Sequence, residues 1–153
     1  MKRDLHFEST YPHPVEKVWA AITDARALSQ WLMPNDFEPR VGHKFQFRTK
    51  PAPGFDGIVH CVVIEIQPPC KVVYSWQGGG VDTVLTWSLQ SVPNGTRLTL
   101  DHTGFRGIRG LFVSMVLGKG WGSKILFQNL PALLDRWSGN GEIPVVREAD
   151  CHS

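Results

Sequence analysis

The sequence lacks the features that define several large classes of protein. Its 16 lysines and arginines nearly balance 14 aspartates and glutamates, and a net charge of +2 is too small to indicate nucleic-acid binding. The apolar run LFVSMVLG (111–118) is too short to span a bilayer. The N-terminal segment MKRDLHFEST has no apolar core of a signal peptide. We therefore expect no nucleic-acid partner, no transmembrane segment and a cytoplasmic location.

Cysteine is scarce. The chain contains three cysteines, Cys61, Cys70 and Cys151, an odd number without the spacing of a metal site. Free thiols in a reducing cytoplasm are the expected state.

Sequence motifs for catalysis and for phosphate binding are also missing. There is no G-x-S-x-G stretch, so nothing indicates a serine nucleophile. The triplet Gly78-Gly79-Gly80 lies between two strand-like segments. Phosphate loops open helices, so this triplet predicts a turn instead. We expect neither a cofactor nor a metal ion.

What the sequence does contain is a clear order of elements, of a length that suits one domain. Pro14 is typical of a first helical turn, and the apolar residues after it, at 15, 18, 19 and 22, share one helical face. The segment ARALSQWL predicts a second short helix that ends before Pro34.

Six segments with alternating or β-branched residues predict strands, each bounded by turn residues such as Pro68-Pro69 and Pro93-Asn94-Gly95. They are residues 4–11, 44–49, 58–67, 71–76, 81–92 and 96–103. Strands grouped together, with helices beside them, indicate an α+β fold.

A long helix is predicted within residues 118–137. Leu126, Leu130, Leu133 and Trp137 follow i, i+4, i+7 and i+11 and share one face. The apolar arc covers roughly half the circumference, wider than in an ordinary amphipathic helix. Pro131 is expected to remove a backbone hydrogen bond and kink this helix. The sheet must bury one face against it.

The charged residues Glu65, Asp82, Arg97 and Asp101 need solvent, which fixes the strand registers. The residues that then face inward are Ile58, His60, Val62, Ile64, Ile66, Val72, Tyr74, Trp76, Thr83, Leu85, Trp87, Leu89, Leu98, Leu100 and His102. This set contains no carboxylate, and its two histidines would orient a polar ligand group or move a proton. Hydrogen-bonded interior histidines are the alternative, and without a third ligand they make no closed zinc site.

Five segments in sequence order resemble the START-related (SRPBCC) superfamily, whose fold is shared by birch-pollen-type allergens, polyketide cyclases and START lipid-transfer domains. They are PHPVEKVWAAITDARALSQWL, RVGHKFQF, the Pro-Pro turn leading into VVYSW, VLTWSLQSVPNGTRLTLDHTGF, and GW before the last helix. The branch that this chain resembles is the family of heat-shock protein 90 ATPase activator homologues. The resemblance covers residues 5–137, apart from an unusually apolar, glycine-rich segment at 105–120.

The resemblance implies a helix-grip fold, in which a curved antiparallel sheet of about six strands surrounds a long C-terminal helix. It also implies a hydrophobic cavity between sheet and helix, open toward the two short helices. The family's tryptophans correspond to Trp19, Trp31, Trp76 and Trp121. The implied domain covers residues 1–140, followed by a tail at 141–153.

We expect this cavity to bind a hydrophobic or amphipathic small molecule, lipids included. The candidate ligand-binding residues are Trp19, Trp31, His60, Tyr74, Trp76, Trp87, His102, Trp121, Leu126, Leu130 and Leu133. One alternative is a cyclase, dehydratase or hydrolase acting on an aromatic or polyketide-like substrate, with His60 or His102 moving protons. Another is a co-chaperone-like module that binds a chaperone through its surface. An exposed edge strand or the apolar segment 111–117 would support a homodimer; otherwise the protein is a monomer.

Overall fold

Six strands form one curved antiparallel sheet in the computed structural model, which describes residues 2–51, 55–106 and 128–136. The strand order across the sheet is β1-β6-β5-β4-β3-β2. Their bounds are β1 Lys2–Tyr11, β2 Lys44–Arg48, β3 Ile58–Gln67, β4 Lys71–Gly78, β5 Val81–Val92 and β6 Gly95–Arg106. The six predicted strands are confirmed, and consecutive strands from β2 to β6 are neighbours in the sheet.

Two short helices connect β1 to β2, as predicted: α1, Val15–Thr23, and α2, Ala25–Trp31. Asp24 separates them, and its carboxylate accepts a hydrogen bond of 2.8 Å from the backbone N–H of Arg26. This cap satisfies one of the free N–H groups at the start of α2. The indole N–H of Trp31 donates to the carbonyl of Ala21 at 2.8 Å and holds α2 against α1.

The third helix, α3, covers Leu130–Arg136. The long C-terminal helix predicted from the sequence is therefore not confirmed: only this short part of it is described, and Leu126 and Trp137 lie outside the described residues. Pro131 is the second residue of α3 and follows a π-helical turn at residues 128–129, so the kink expected at Pro131 stays a prediction. The helix packs against α1 and α2.

One polar cluster fixes α3 to the start of α1. His13 Nε2 lies 2.9 Å from a carboxylate oxygen of Asp135, and Lys17 donates to His13 Nδ1 at 3.2 Å. The hydroxyl of Thr96 donates to the His13 carbonyl at 2.8 Å. The cluster thus joins α3, the turn before α1, and the β5–β6 hairpin.

The predicted facing of β3 is wrong over most of its length. Val59, Cys61 and Val63 are buried, whereas His60 and Ile64 are exposed. A register shift between Val63 and Glu65 inserts an extra residue and changes the alternation at that point. The sequence prediction placed Glu65 on the outer face and alternated inward and outward positions back from it. Because the bulge interrupts this alternation, Ile58, His60, Val62 and Ile64 were assigned to the wrong face. Beyond the bulge, Ile66 packs against the core as expected.

The predicted registers of the other central strands are confirmed. The inward residues of β4, β5 and β6 are buried: Val72, Tyr74, Trp76, Thr83, Leu85, Trp87, Leu89, Leu98, Leu100 and His102. The charged residues used to set those registers, Asp82, Arg97 and Asp101, are exposed or half-buried on the opposite face.

The cysteines depart from the expectation of free thiols. Cys61 is a free, buried thiol, and burial raises its pKa. Cys70, by contrast, is disulfide-bonded. A disulfide is typical of oxidising surroundings and opposes the reducing compartment that the sequence suggested.

No helix in the described part of the chain is long and apolar enough to cross a membrane. Within residues 2–51, 55–106 and 128–136, no three histidine, cysteine or acidic side chains come together as a metal-binding group.

Candidate functional site

The inner face of β4, β5 and β6 carries large aromatic side chains beneath the helices. Trp87 projects from β5 and meets Trp31 of α2 edge to face, with ring centroids 5.8 Å apart. Such edge-to-face pairs stabilise the folded protein by more than the burial of their apolar area alone would give. Leu130 and Leu133 of α3 belong to the same hydrophobic core. The site thus lies between the sheet on one side and the three described helices on the other.

A histidine and a threonine form a buried polar pair within this apolar surface. Thr83 Oγ1 lies 2.7 Å from His102 Nε2 and donates to the carbonyl oxygen of Trp76 at 3.1 Å. The hydroxyl has one proton, so its donation to Trp76 makes His102 Nε2–H the donor to Thr83. This arrangement places the imidazole proton on Nε2.

Burial keeps His102 uncharged. Its side chain is inaccessible to solvent and lies between the rings of Trp76 and Phe105, at centroid distances of 5.2 and 4.6 Å. Desolvation lowers the pKa of His102 from 6.5 to about 3. A neutral imidazole of such low basicity is suited to orienting a ligand by hydrogen bonding and is a weak general base near neutral pH.

A second buried polar pair lies on the neighbouring strands. The indole N–H of Trp87 donates to the phenol oxygen of Tyr74 at 2.8 Å. Burial raises the pKa of Tyr74 well above its usual value of 10.0, and the hydrogen bond from Trp87 opposes that rise only in part. Tyr74 is therefore a neutral phenol that orients the indole ring of Trp87.

An aromatic cluster beside Tyr74 was not singled out from the sequence. Phe45 and Phe47 of β2 pack within 5.0 and 6.1 Å of the Tyr74 ring, and Phe37 packs on Phe45. The alternation in KFQFR was a signal for the two strand residues. Phe37 lies in the connection before β2, where no periodicity marks it.

The described interior is closely packed. Tyr74, Trp87 and His102 have none of their surface exposed, and the buried Trp19, Trp31, Trp76, Leu130 and Leu133 keep 5% or less. No solvent-accessible surface therefore remains at Tyr74, Trp87 or His102. A molecule that binds among these residues must separate them.

Eight of the eleven predicted site residues are brought into this one core: Trp19, Trp31, Tyr74, Trp76, Trp87, His102, Leu130 and Leu133. His60 is not, because the bulge in β3 turns its side chain to the outer face. Trp121 and Leu126 lie outside the described residues. Thr83, which pairs with His102, was predicted to face inward but was not included among the site residues.

These observations define the class of fold: an α+β protein with a curved antiparallel sheet whose inner face is covered by helices, as in the helix-grip proteins of the SRPBCC superfamily. Residues 12–135 match the family described as "Activator of Hsp90 ATPase homolog 1-like protein", and the chain belongs to this family. The resemblance seen in the sequence is thereby confirmed.

Solved structures show the same architecture. Protein MLL2253 from Mesorhizobium loti is 31% identical, with a TM-score of 0.80 over 89% of this chain and 99% of that one. CalU16 from Micromonospora echinospora is 21% identical, with a TM-score of 0.71 over 93% and 81% of the two chains. DynU16, a protein in the dynemicin biosynthetic locus, is 23% identical, with a TM-score of 0.73 over 87% of this chain and 47% of that one. The last two support the fold alone. No curated protein matches the sequence.

Proposed function

We propose that the protein binds a hydrophobic or amphipathic small molecule between the inner face of the sheet and the C-terminal helix. The observation that carries the proposal is the pair of buried polar contacts, Thr83–His102 and Tyr74–Trp87, set among aromatic rings. A core that served packing alone would gain from apolar residues, because burying an imidazole or phenol costs desolvation free energy. Polar groups fixed within an apolar surface are typical of small-molecule sites.

The ligand would take the place of packed side chains. Contact with Trp19, Trp31, Tyr74, Trp76, Trp87, His102, Leu130 and Leu133, and with Trp121 and Leu126, would bury apolar area worth roughly 25 cal/mol per Å² before association costs. Because the described interior is closely packed, the helices must move away from the sheet. The ligand then stabilises a conformation that is rarely populated without it.

Binding accounts for the chemistry of this surface better than proton transfer does. Among the described residues, no carboxylate faces the core, and the low pKa of His102 makes it a poor base near neutral pH. A cyclase-type enzyme would therefore rely on holding a reactive substrate in a folded shape, which is again a binding function.

A chaperone partner is the second candidate, and the family name is what favours it. In that case the surface, and not the interior, would carry the activity. Capture of a heat-shock protein 90 chaperone that persists when the interior is blocked would support this candidate. If blocking the interior abolished capture of the chaperone, chaperone binding would instead depend on the ligand site.

The proposal also includes the domain organisation of the chain. We take residues 1–140 as a single ligand-binding domain with a tail at 141–153.

The outer edge of β2 is covered, since Pro34 and Asp36 accept the backbone N–H groups of Arg48 and Gln46 at 2.9 and 2.7 Å. A homodimer through a sheet edge would therefore use β1. A cytoplasmic location requires that the disulfide at Cys70 withstand a reducing compartment.

Native mass spectrometry of the protein as purified tests the proposal. We expect a species heavier than the chain by one small molecule. Leu133→Trp, which overpacks the interior, should lower the bound fraction, while Ala132→Trp, which places the same side chain on the exposed face of α3, should not. Overpacking costs about 1–3 kcal/mol, so circular dichroism must confirm that both variants fold. The bare chain mass, together with no rise in Tm on adding 1-naphthol, would contradict the proposal.

A further inference from the structure

We propose that the outer face of the sheet carries a second binding site, for a hydroxyl-bearing organic anion such as a sugar phosphate or sugar acid. Its floor is a row of polar side chains on four neighbouring strands. Gln46 of β2 is paired with His60 of β3, His60 with Gln77 of β4, and Gln77 with Asp82 of β5. With strands about 4.8 Å apart, the row extends over about 14 Å.

The surface along this row has shallow, open depressions. A groove of about 600 Å³ lies over the β2 end, and a second of about 570 Å³ lies over the β5 end. The two share His60 and Gln77, so they form one continuous depression. This size suits a small molecule rather than a single ion.

A chain of hydrogen bonds fixes which way the central groups point. Arg48 donates to Gln46 Oε1 at 3.2 Å, and a guanidinium can only donate. The Gln46 amide nitrogen therefore faces His60 Nδ1, 3.3 Å away, and donates to it. His60 Nδ1 is then an acceptor, so the neutral imidazole has its proton on Nε2. Arg48 thereby sets His60 as a hydrogen-bond donor to a ligand in the groove.

Charge is distributed unevenly along the groove. At the β2 end, neither Lys44 nor Arg48 has an acidic partner within 4.0 Å among the described residues. Asp36, at the same end, uses one carboxylate oxygen to accept the backbone N–H of Gln46. At the β5 end, Asp56 and Asp82 supply carboxylates.

A ligand that matches this surface is an oxyanion at one end and a hydrogen-bond donor at the other. Its phosphate or carboxylate would face Arg48 and Lys44, since guanidinium and ammonium groups make charge-assisted hydrogen bonds to such oxygens. Its hydroxyl groups would face Gln77 and Asp82. This site lies on the opposite face of the sheet from the interior site and is independent of it.

Titration followed by ¹H–¹⁵N NMR tests the inference. Glucose 6-phosphate and gluconate are the two anionic probes, and glucose is the neutral one. We expect either anion to give saturable shifts at the amides of Gln46, His60 and Gln77, with glucose binding at least tenfold more weakly. Binding of only one anion would identify phosphate or carboxylate as the preferred group. No saturable shifts with either anion, or equal affinity for glucose, would overturn the proposal.

The variant Arg48→Gln should raise the Kd for the anion about tenfold. Arg97→Gln is its matched control, because Arg97 is exposed, donates to Gln90 Oε1 at the same 3.2 Å, and does not line the groove. The ¹⁵N shifts of the His60 ring should report a proton on Nε2 in the unsubstituted protein and a mixture of tautomers in Arg48→Gln. Equal Kd increases in the two variants, or a proton on Nδ1 in the unsubstituted protein, would overturn the role assigned to Arg48.

Discussion

At the scale of single residues, His102 shows how burial determines chemistry. A histidine in water changes its charge near pH 6.5 and would be a mixture of two forms under physiological conditions. Between Trp76 and Phe105, the uncharged form is the only one that the interior accommodates at neutral pH. The residue therefore contributes a fixed hydrogen bond to Thr83, without a change of charge near neutral pH.

This shift makes folding stability depend on pH with a definite sign. The folded pKa of His102, about 3, is below its ordinary value of 6.5, so the unfolded chain binds the proton more readily. The contribution of neutral His102 to the free energy of unfolding is fully present above about pH 6.5. It falls toward pH 3 by up to about 1.4 kcal/mol per pH unit. We expect urea unfolding between pH 7 and pH 4 to show this loss, and His102→Gln to remove its share of the slope.

His6 is the matched reference in the same protein. It is exposed and its pKa is raised, chiefly by the hydrogen bond to Asp101. In a proton NMR titration, His6 should therefore titrate above 6.5 while His102 stays neutral down to about pH 4. A His102 ring that titrates near 6.5 would contradict the packed interior.

At the scale of elements, the turn between β5 and β6 shows how closely the strands approach each other. Gly95 has a φ of +154°, and a Cβ added there would lie 1.9 Å from the carbonyl oxygen of Tyr11. The hairpin therefore needs glycine for space as well as for conformation. The contact fixes the end of β1 against the turn.

Replacing Gly95 with alanine should destabilise the protein by more than about 3 kcal/mol, because either the turn or β1 must shift. Gly42→Ala is the control: its φ of +86° is also unfavourable to alanine, but nothing lies within 4 Å of the added Cβ. That change should cost only about 1–2 kcal/mol. Chemical denaturation of both variants measures the difference, and similar losses would show that the close approach to Tyr11 is not limiting.

The elements were largely predictable because their signals are local. Apolar spacing marked α1 and α2, and turn residues marked the ends of β3 and β5. The facing of β3 was not predictable, since a bulge after Val63 leaves no trace in an alternating apolar segment. His60 was consequently assigned to the interior. Its position in the outer groove depends on Gln46 and Gln77, which only strand pairing brings beside it.

The inward-facing residues of the candidate site could be predicted from the alternation of residues along each strand. Their hydrogen-bond partners could not. The inward positions of Tyr74, Trp87 and His102 follow from the registers of β4 to β6. The hydrogen bonds that orient these groups join residues 13 and 19 positions apart. Such contacts arise from the fold and have no sequence spacing of their own.

At the scale of the whole molecule, one sheet has two faces with different chemistry. The inner face is aromatic and closed by α1, α2 and α3, and it contains the two buried polar pairs. The outer face carries the polar row from Gln46 to Asp82. In the proposal for the inner face, a ligand separates the helices from the sheet, whereas in the proposal for the outer face the helices stay in place. The two proposals therefore differ in whether the core responds to the ligand.

A titration of methyl-labelled protein with 1-naphthol, followed by methyl NMR, tests the inner site most directly. Leu85, Leu100 and Leu133 have buried methyl groups in the core, whereas Val41 and Ile64 are 57% and 49% exposed and serve as internal references. We predict saturable shifts at the three leucines and none at Val41 and Ile64. Shifts confined to Val41 and Ile64, or no saturable shift at any leucine, would contradict ligand binding between the sheet and the helices.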